Sequence, residues 1–180
     1  MNLDFWGRAC AFHGHACPGL AIGVKACEAL VEKMGVSPSF DEELVCIVEN
    51  DACGVDAIQA LVSCTFGKGN LIYKNTGKNA YTFFDRQKGK AMRFYFKKRM
   101  QDMEREAFQQ YVLNAPVDEL FDCKEVNWEA PSYARIFSSL TCEICGESAS
   151  ENKVRIQNGR KVCLGCFTEY SRIIIQGGIA

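Results

Sequence analysis

The stretch FHGHACPGLAIGVKACEALVEKMG, residues 12–35, decides how the first part of the chain folds. Proline suits the first position of a helix, because the N–H that it lacks would have no partner there, and Pro18 precedes apolar residues at helical spacing. These residues are Leu20, Val24, Cys27 and Val31. The pattern therefore predicts a long helix that begins at Pro18, ends at Gly35 and has Cys17 at its N-cap.

Two histidines and a cysteine lie just before this helix. His13, His15 and Cys17 are spaced by two residues, so an extended loop would turn all three side chains to the same side. If the loop coils as a helix instead, His13 and Cys17 still meet one turn apart. The positive end of the helix dipole favours the thiolate form of Cys17. The sequence therefore predicts that at least one imidazole lies beside the Cys17 thiol.

A second group of candidate site residues follows a predicted strand. The run ELVCIVEN, residues 43–50, is short and apolar, and it leads through Cys53 into a helix predicted over residues 54–67 that carries Asp56. Strand ends that lead into helix starts are common places for binding sites. The glycine-rich stretch around the end of this helix adds Cys64, Lys68 and Asn70. Buried thiols are also common in protein cores, so a structural role for Cys53 and Cys64 stays open.

The rest of the body alternates between strand and helix patterns. Residues 70–86 carry two apolar-rich runs around the turn sequence NTGK and predict a hairpin, and residues 90–98 alternate as a half-buried antiparallel strand does. Helical spacing returns over residues 100–114 and stops before Pro116. We therefore predict an α+β body over residues 1–137, with a mixed or antiparallel sheet and packed helices.

Four cysteines near the C-terminus form two C-x2-C pairs separated by 17 residues. They are Cys142, Cys145, Cys163 and Cys166. This spacing predicts a structural zinc site, closed to water and substrate, with rubredoxin-like iron as the alternative. An Asn-Gly turn between the pairs predicts a hairpin, and residues 167–178 predict a helix. The arrangement resembles a treble clef, so we assign residues 138–180 to a small treble-clef zinc finger.

Charge, length and cysteine content disfavour several classes of protein. The chain has 180 residues, a formal net charge of -1 and a pI of about 6.2, so it lacks the positive surface that nucleic-acid binding needs. No apolar run approaches the roughly 20 residues that cross a bilayer, and the N-terminus lacks the pattern of a secretion signal. Eleven cysteines, an odd number, argue against a closed disulfide framework. We therefore expect a soluble cytoplasmic protein without membrane contacts.

Several ordered motifs resemble those of a known family. FHGHACPGLAIG, VENDACGVDAIQ, CTFGKGNL and TGKNAYTFFDRQKGKAMR look like the formylmethanofuran dehydrogenase FmdE family. The resemblance implies an α+β core, a homodimer and, in some members, an auxiliary treble-clef finger. It also implies that the motif residues share a cleft. These residues are His13, His15, Cys17, Cys53, Asp56, Cys64, Lys68 and Asn70.

The family name comes from a molybdenum or tungsten enzyme that reduces carbon dioxide to a formyl group on methanofuran, the first step of methanogenesis. The resemblance therefore implies such an enzyme as a partner. The motifs contain no molybdopterin-binding apparatus, and the chain is too short to hold that cofactor and an iron–sulfur relay by itself.

Three hypotheses about function follow, and they leave open whether the chain is itself an enzyme. In the first, a metal-binding accessory or redox protein holds zinc, nickel or iron through Cys17 and one or both of His13 and His15, joined by Cys53. In the second, a metal-free enzyme uses Cys17 as nucleophile, either histidine as base, and Cys53 or Cys64 as resolving thiol. In the third, the finger docks the chain to a protein or nucleic acid through four basic residues. They are Lys153, Arg155, Arg160 and Lys161.

Overall fold

A computed structural model of the protein describes residues 3–98 and 103–172. The chain forms two compact units, Met1–Ala134 and Arg135–Ala180, which we call the body and the finger. The sequence places the boundary close by, after residue 137. Within the described ranges, none of the helices combines the length and the apolar content that a bilayer crossing requires.

The body is built on a five-stranded sheet with the spatial order β2-β1-β3-β4-β5. Its strands are β1 (Leu44–Val48), β2 (Leu71–Tyr73), β3 (Ala80–Asp85), β4 (Lys90–Phe96) and β5 (Phe121–Glu125). Its helices are α1 (Leu3–His13), α2 (Pro18–Met34), α3 (Gly54–Val62), α4 (Arg105–Asn114) and α5 (Val117–Leu120). β1 and β2 are parallel, and the other strand pairs are antiparallel. The predicted α+β class with a mixed sheet is confirmed.

The prediction of a hairpin over residues 70–86 is wrong, because its two strands, β2 and β3, lie on opposite sides of β1. The connecting segment crosses the end of β1, where the Lys74 N–H donates to the Val48 carbonyl at 2.9 Å. β1 is apolar and almost wholly buried, so the backbone groups on both of its edges need strand partners. Gly77 nevertheless has the positive φ, 70°, that the sequence predicts for this turn.

Helix α3 ends earlier than predicted, at Val62 rather than Gly67. Ser63 adopts a left-handed conformation with φ of 58°, which ends the helix. The buried Asn70 side chain holds this turn, because its Nδ2 donates to Ser63 O at 3.3 Å and its Oδ1 accepts from the Thr65 N–H at 2.8 Å. These bonds satisfy backbone groups that another helical turn would otherwise use. The spacing of apolar residues within the helix could not predict this end, because the Asn70 side chain that holds it comes from the far side of the loop.

Helices α2 and α3 approach so closely that glycine is required where they meet. A Cβ atom on Gly23 would lie 2.2 Å from the Gly54 carbonyl oxygen and 2.6 Å from Gly54 Cα. A Cβ atom on Gly54 would lie 2.3 Å from the Tyr81 hydroxyl oxygen. The start of α3 therefore packs directly against the first turns of α2.

The finger contains two short antiparallel hairpins. Its strands are β6 (Ser139–Thr141), β7 (Ser148–Ser150), β8 (Val154–Gln157) and β9 (Arg160–Cys163). Between β8 and β9, Asn158 and Gly159 have positive φ angles of 51° and 77°. This is the backbone of the tight turn that Asn-Gly favours, so the predicted hairpin is confirmed.

The helix predicted over residues 167–178 is not formed in residues 167–172, and residues 173–178 lie outside the described part of the chain. The Gln157 side chain binds both backbone groups of Thr168. Its Nε2 donates to Thr168 O at 2.8 Å, and its Oε1 accepts from the Thr168 N–H at 3.2 Å. In a helix the Thr168 carbonyl would instead accept a backbone N–H from the next turn. The helix that would complete a treble clef is therefore not seen in residues 167–172, and the treble-clef topology stays a prediction.

Candidate metal centre

Three helix ends bring the candidate ligands of the body together. His13 is the last residue of α1, Cys17 is the N-cap of α2, and Cys53 is the N-cap of α3. One ring nitrogen of His13 and the two Sγ atoms all lie within 4.8 Å of one another. The predicted pairing of an imidazole with the Cys17 thiol is therefore present, and Cys53 joins it because of the close contact between α2 and α3.

Cys17 is held in place by the helix that it caps. Its backbone is extended, and its Sγ accepts the Leu20 N–H at 3.3 Å. The side chain is buried, with a relative exposure of 2%, at the positive end of the α2 dipole. The start of α2 therefore fixes where this sulfur lies.

Cys53 is half-buried and makes no capping hydrogen bond of its own. Burial and the neighbouring Cys17 thiol raise the pKa of Cys53 above its usual value. A bound cation would convert such a thiol to the thiolate, because a coordinating sulfur loses its proton.

Asp56 orients the His13 ring. His13 Nδ1 lies 2.7 Å from Asp56 Oδ2, and a carboxylate can only accept, so Nδ1 carries the proton and donates. His13 Nε2 then faces Cys17 Sγ at 3.9 Å. Gln59 holds the other carboxylate oxygen, since its Nε2 donates to Asp56 Oδ1 at 3.3 Å. A carboxylate behind a histidine is the usual means of orienting a metal-binding imidazole.

His15 lies beside this group without joining it. Its side chain is exposed, and its ring centroid is 4.4 Å from that of His13 with the planes tilted by 40°. α1 ends at His13, and the loop of residues 14–17 turns at Gly14, whose φ is 89°, so neither the fully extended nor the helical geometry predicted for this loop forms. His13, and not His15, lies next to Cys17.

Cys64, Lys68 and Asn70 lie at the opposite end of β1, so the shared cleft expected from the motifs does not include them. The Cys64 thiol donates to Leu44 O at 3.5 Å, and burial raises its pKa to about 12. Lys68 Nζ donates to Ser39 O at 3.1 Å. Asn70 Nδ2 also donates to Leu44 O at 3.0 Å. These contacts brace the loop that leads into β1.

A cleft of about 320 Å³ opens beside His13 and Cys53. Asn50, Phe66 and Tyr73 line it, and sequence reasoning did not select them. Asn50 could have been found from its place at the end of a predicted strand. Phe66 and Tyr73 carry no such signal, because an aromatic residue near a strand usually packs in the core.

The four cysteines of the finger also cluster, with their Sγ atoms within 4.8 Å of one another. Cys145 and Cys163 Sγ are 4.0 Å apart, close to the roughly 3.8 Å expected across a tetrahedron with Zn–S bonds of about 2.3 Å. Backbone N–H groups, first that of Cys145 and then those of Cys163 and Ile144, lower the pKa of Cys142 to about 6. Four thiols with such donors fit a structural zinc ion and leave no position for substrate.

Two known families account for the two units. Residues 12–127 match the family described as FmdE, molybdenum formylmethanofuran dehydrogenase operon. Residues 135–172 match the prokaryotic dksA/traR C4-type zinc finger. The second match agrees with the cluster of four thiols.

Two individual proteins are similar to this chain. A probable S-adenosyl-L-methionine-binding protein of Archaeoglobus fulgidus is 30% identical in an alignment 203 residues long, gaps included, that covers 94% of this chain and 54% of that protein. The chain thus spans about half the length of this curated relative. A tungsten formylmethanofuran dehydrogenase FmdE-like protein from Syntrophus aciditrophicus, whose crystal structure is known, matches with a TM-score of 0.64 and 21% identity over 91% of this chain and 90% of that one. This likeness shows the fold.

Proposed function

We propose, from the premise that the chain belongs to the FmdE family and carries a C4-type zinc finger, that the body binds a second transition-metal ion. His13, Cys17 and Cys53 would hold it. The observation that carries the proposal is the mutual approach of their three ligand atoms to within 4.8 Å. The chain then acts as a metal-binding accessory or redox protein.

The donor set fits the ion. One imidazole nitrogen and two thiolates suit zinc, nickel or iron, and three protein ligands leave a coordination position open. Bound there, such an ion supplies a Lewis acid or an electron-transfer centre. Asp56 binds Nδ1 of His13, so that Nε2 faces the two sulfurs, and the Leu20 N–H at the start of α2 holds the Cys17 sulfur. The cleft admits a small molecule beside them.

We also propose the setting in which this site works. The family description names a molybdenum formylmethanofuran dehydrogenase, which supports a link to a molybdenum or tungsten enzyme of that kind. Its oxidoreductase chemistry would convert carbon dioxide to a formyl group, as in methanogenesis. The chain works there as a homodimer. None of the eleven cysteines, all within the described residues, forms a disulfide, which supports the reducing environment of the cytoplasm.

Replacing Cys17 with serine is expected to remove the core metal and leave the fold intact. Serine keeps an oxygen that accepts the Leu20 N–H at the helix start, whereas it lacks the soft sulfur ligand. Elemental analysis of the anaerobically purified full chain should give two metal ions per wild-type chain and one per Cys17→Ser chain. Circular dichroism should be unchanged.

The matched control is Cys123→Ser, a half-buried thiol on β5, which should keep both ions. One ion per chain in every variant contradicts the proposed metal site. In that case rapid alkylation of a free Cys17 would favour the metal-free thiol enzyme.

The name of the archaeal relative suggests a second candidate, in which this chain also binds S-adenosylmethionine. One observation favours it. Among the described residues that line the cleft there is no lysine or arginine, whereas Asp51 and Asp56 supply carboxylates and Phe66 and Tyr73 supply aromatic rings. Asp51 and Tyr73 both line the cleft, and burial and the Asp51 carboxylate raise the pKa of Tyr73. Carboxylates and rings suit a sulfonium cation.

Calorimetry with two ligands tests this candidate. S-adenosylmethionine should bind at least tenfold more tightly than S-adenosylhomocysteine, which lacks the sulfonium charge. Asp51→Asn should reduce that preference, and Asp122→Asn, a carboxylate on β5 outside the cleft, should not. Equal affinity for the two ligands would rule out recognition of the cation.

A further inference from the structure

We infer that Cys17 and Cys53 are a reversible dithiol–disulfide pair, so that oxidation by a low-molecular-weight disulfide removes two of the three ligands of the core site. The link to metal occupancy rests on the proposed function, whereas disulfide formation does not depend on it. The pair is thus a modification site within the body.

The two sulfurs are close because both residues begin a helix. Their Sγ atoms lie within 4.8 Å, and a disulfide requires about 2.0 Å, so both side chains must turn toward each other to form it. Gly19 makes room for this. The position of a Cβ atom on Gly19 is 3.3 Å from Cys53 Cβ, so any side chain there would press on Cys53.

Burial decides the order in which the two thiols react. Cys17 is 2% exposed, whereas Cys53 is half-buried and lines the cleft of about 320 Å³. A disulfide in solution therefore reaches Cys53 first. This reverses the roles predicted from the sequence, in which Cys17 was the nucleophile and Cys53 or Cys64 the resolving thiol.

The other thiols of the body are less suited to pairing. Cys27 and Cys64 donate to Ala57 O and Leu44 O and, like Cys46, are fully buried. Cys123 lies on β5, with Lys33 and Asp118 as neighbours. Cys10 is the strongest rival, because it lies near enough to Cys17 for that thiol to raise its pKa, after burial.

The reaction balances as a pair of thiol–disulfide exchanges. The Cys53 thiolate attacks one sulfur of the external disulfide, forms a mixed disulfide and releases one thiolate. The Cys17 thiolate then attacks Cys53 Sγ and releases the second. The two cysteines lose two electrons and their protons, and the external disulfide gains both electrons. Of the three ligands, only His13 then remains, and a single imidazole does not retain the ion.

The test uses the full chain, purified anaerobically and treated with oxidised glutathione. Peptide mapping without reduction should find a Cys17–Cys53 link, and core-metal occupancy, measured after gel filtration, should fall at least fivefold. Dithiothreitol and added metal should restore it. Cys17→Ser should stop at glutathione attached to Cys53, and Cys123→Ser should behave as wild type.

Each outcome has a separate meaning. A map that shows Cys10–Cys17, or glutathione that remains on Cys53 of the wild-type chain, overturns the inference. A Cys17–Cys53 link in a chain that held no core metal before treatment supports the pair and contradicts the proposed metal site. A link that forms without loss of bound metal overturns the control of occupancy.

Discussion

Replacing Gly23 with alanine is expected to lower the free energy of unfolding of the body by about 3 kcal/mol or more, the upper end of the usual cost of overpacking. The added Cβ would lie 2.2 Å from the Gly54 carbonyl oxygen and 2.6 Å from Gly54 Cα. These are backbone atoms, so no side-chain rotation relieves the collision and α3 must move away from α2. Denaturant unfolding followed by circular dichroism measures the change.

The matched control is the same substitution in another helix. Gly7 lies inside α1, and a Cβ atom there would meet nothing within 4 Å. Gly7→Ala should therefore stabilise the body by about 0.5–1 kcal/mol, because alanine loses less conformational entropy in a helix. If Gly23→Ala is as harmless as Gly7→Ala, α2 and α3 do not touch as described.

Removing metal from the full chain with a chelator is expected to unfold the finger and leave the body folded. Among the described residues of the finger, only Cys142 and Val162 are buried apolar residues, so the hairpins have almost no core. Binding of a structural zinc ion contributes on the order of 10 kcal/mol to such a domain. Hydrogen exchange followed by mass spectrometry should show loss of protection in β6 to β9.

The body provides the internal comparison in the same sample. β1 and β3 are buried on both faces, so their amide groups should keep their protection after chelation. Returning zinc should restore the finger. Amide protection in the finger that survives complete loss of metal would contradict a fold that depends on zinc.

The parts of the structure that depend on neighbours in sequence could be predicted. Pro18 and Gly35 bound α2 as expected, with Gly35 in the left-handed conformation, and Cys17 is the N-cap residue as predicted. The Asn158–Gly159 turn and the four-thiol cluster follow from spacing in the same way.

The parts that depend on distant pairing could not. Asp56 meets His13 across 43 residues, where α3 packs against both α1 and α2. The loop with Lys68 has the same composition as a ligand-binding loop, yet β1 separates it from Cys53. A single sequence does not show whether two motifs will lie at the same end of a strand or at opposite ends.

The placement of His13, Cys17 and Cys53 on three helix ends has a consequence for affinity. Ordering one flexible residue costs about 1–2 kcal/mol in backbone entropy, and a site made of mobile loops would meet that cost at each ligand whenever an ion binds. Here folding of the body has already restricted the backbone at all three positions. An ion that enters therefore gives up little of its binding free energy to ordering the chain, and the centre is preorganised before any ion arrives.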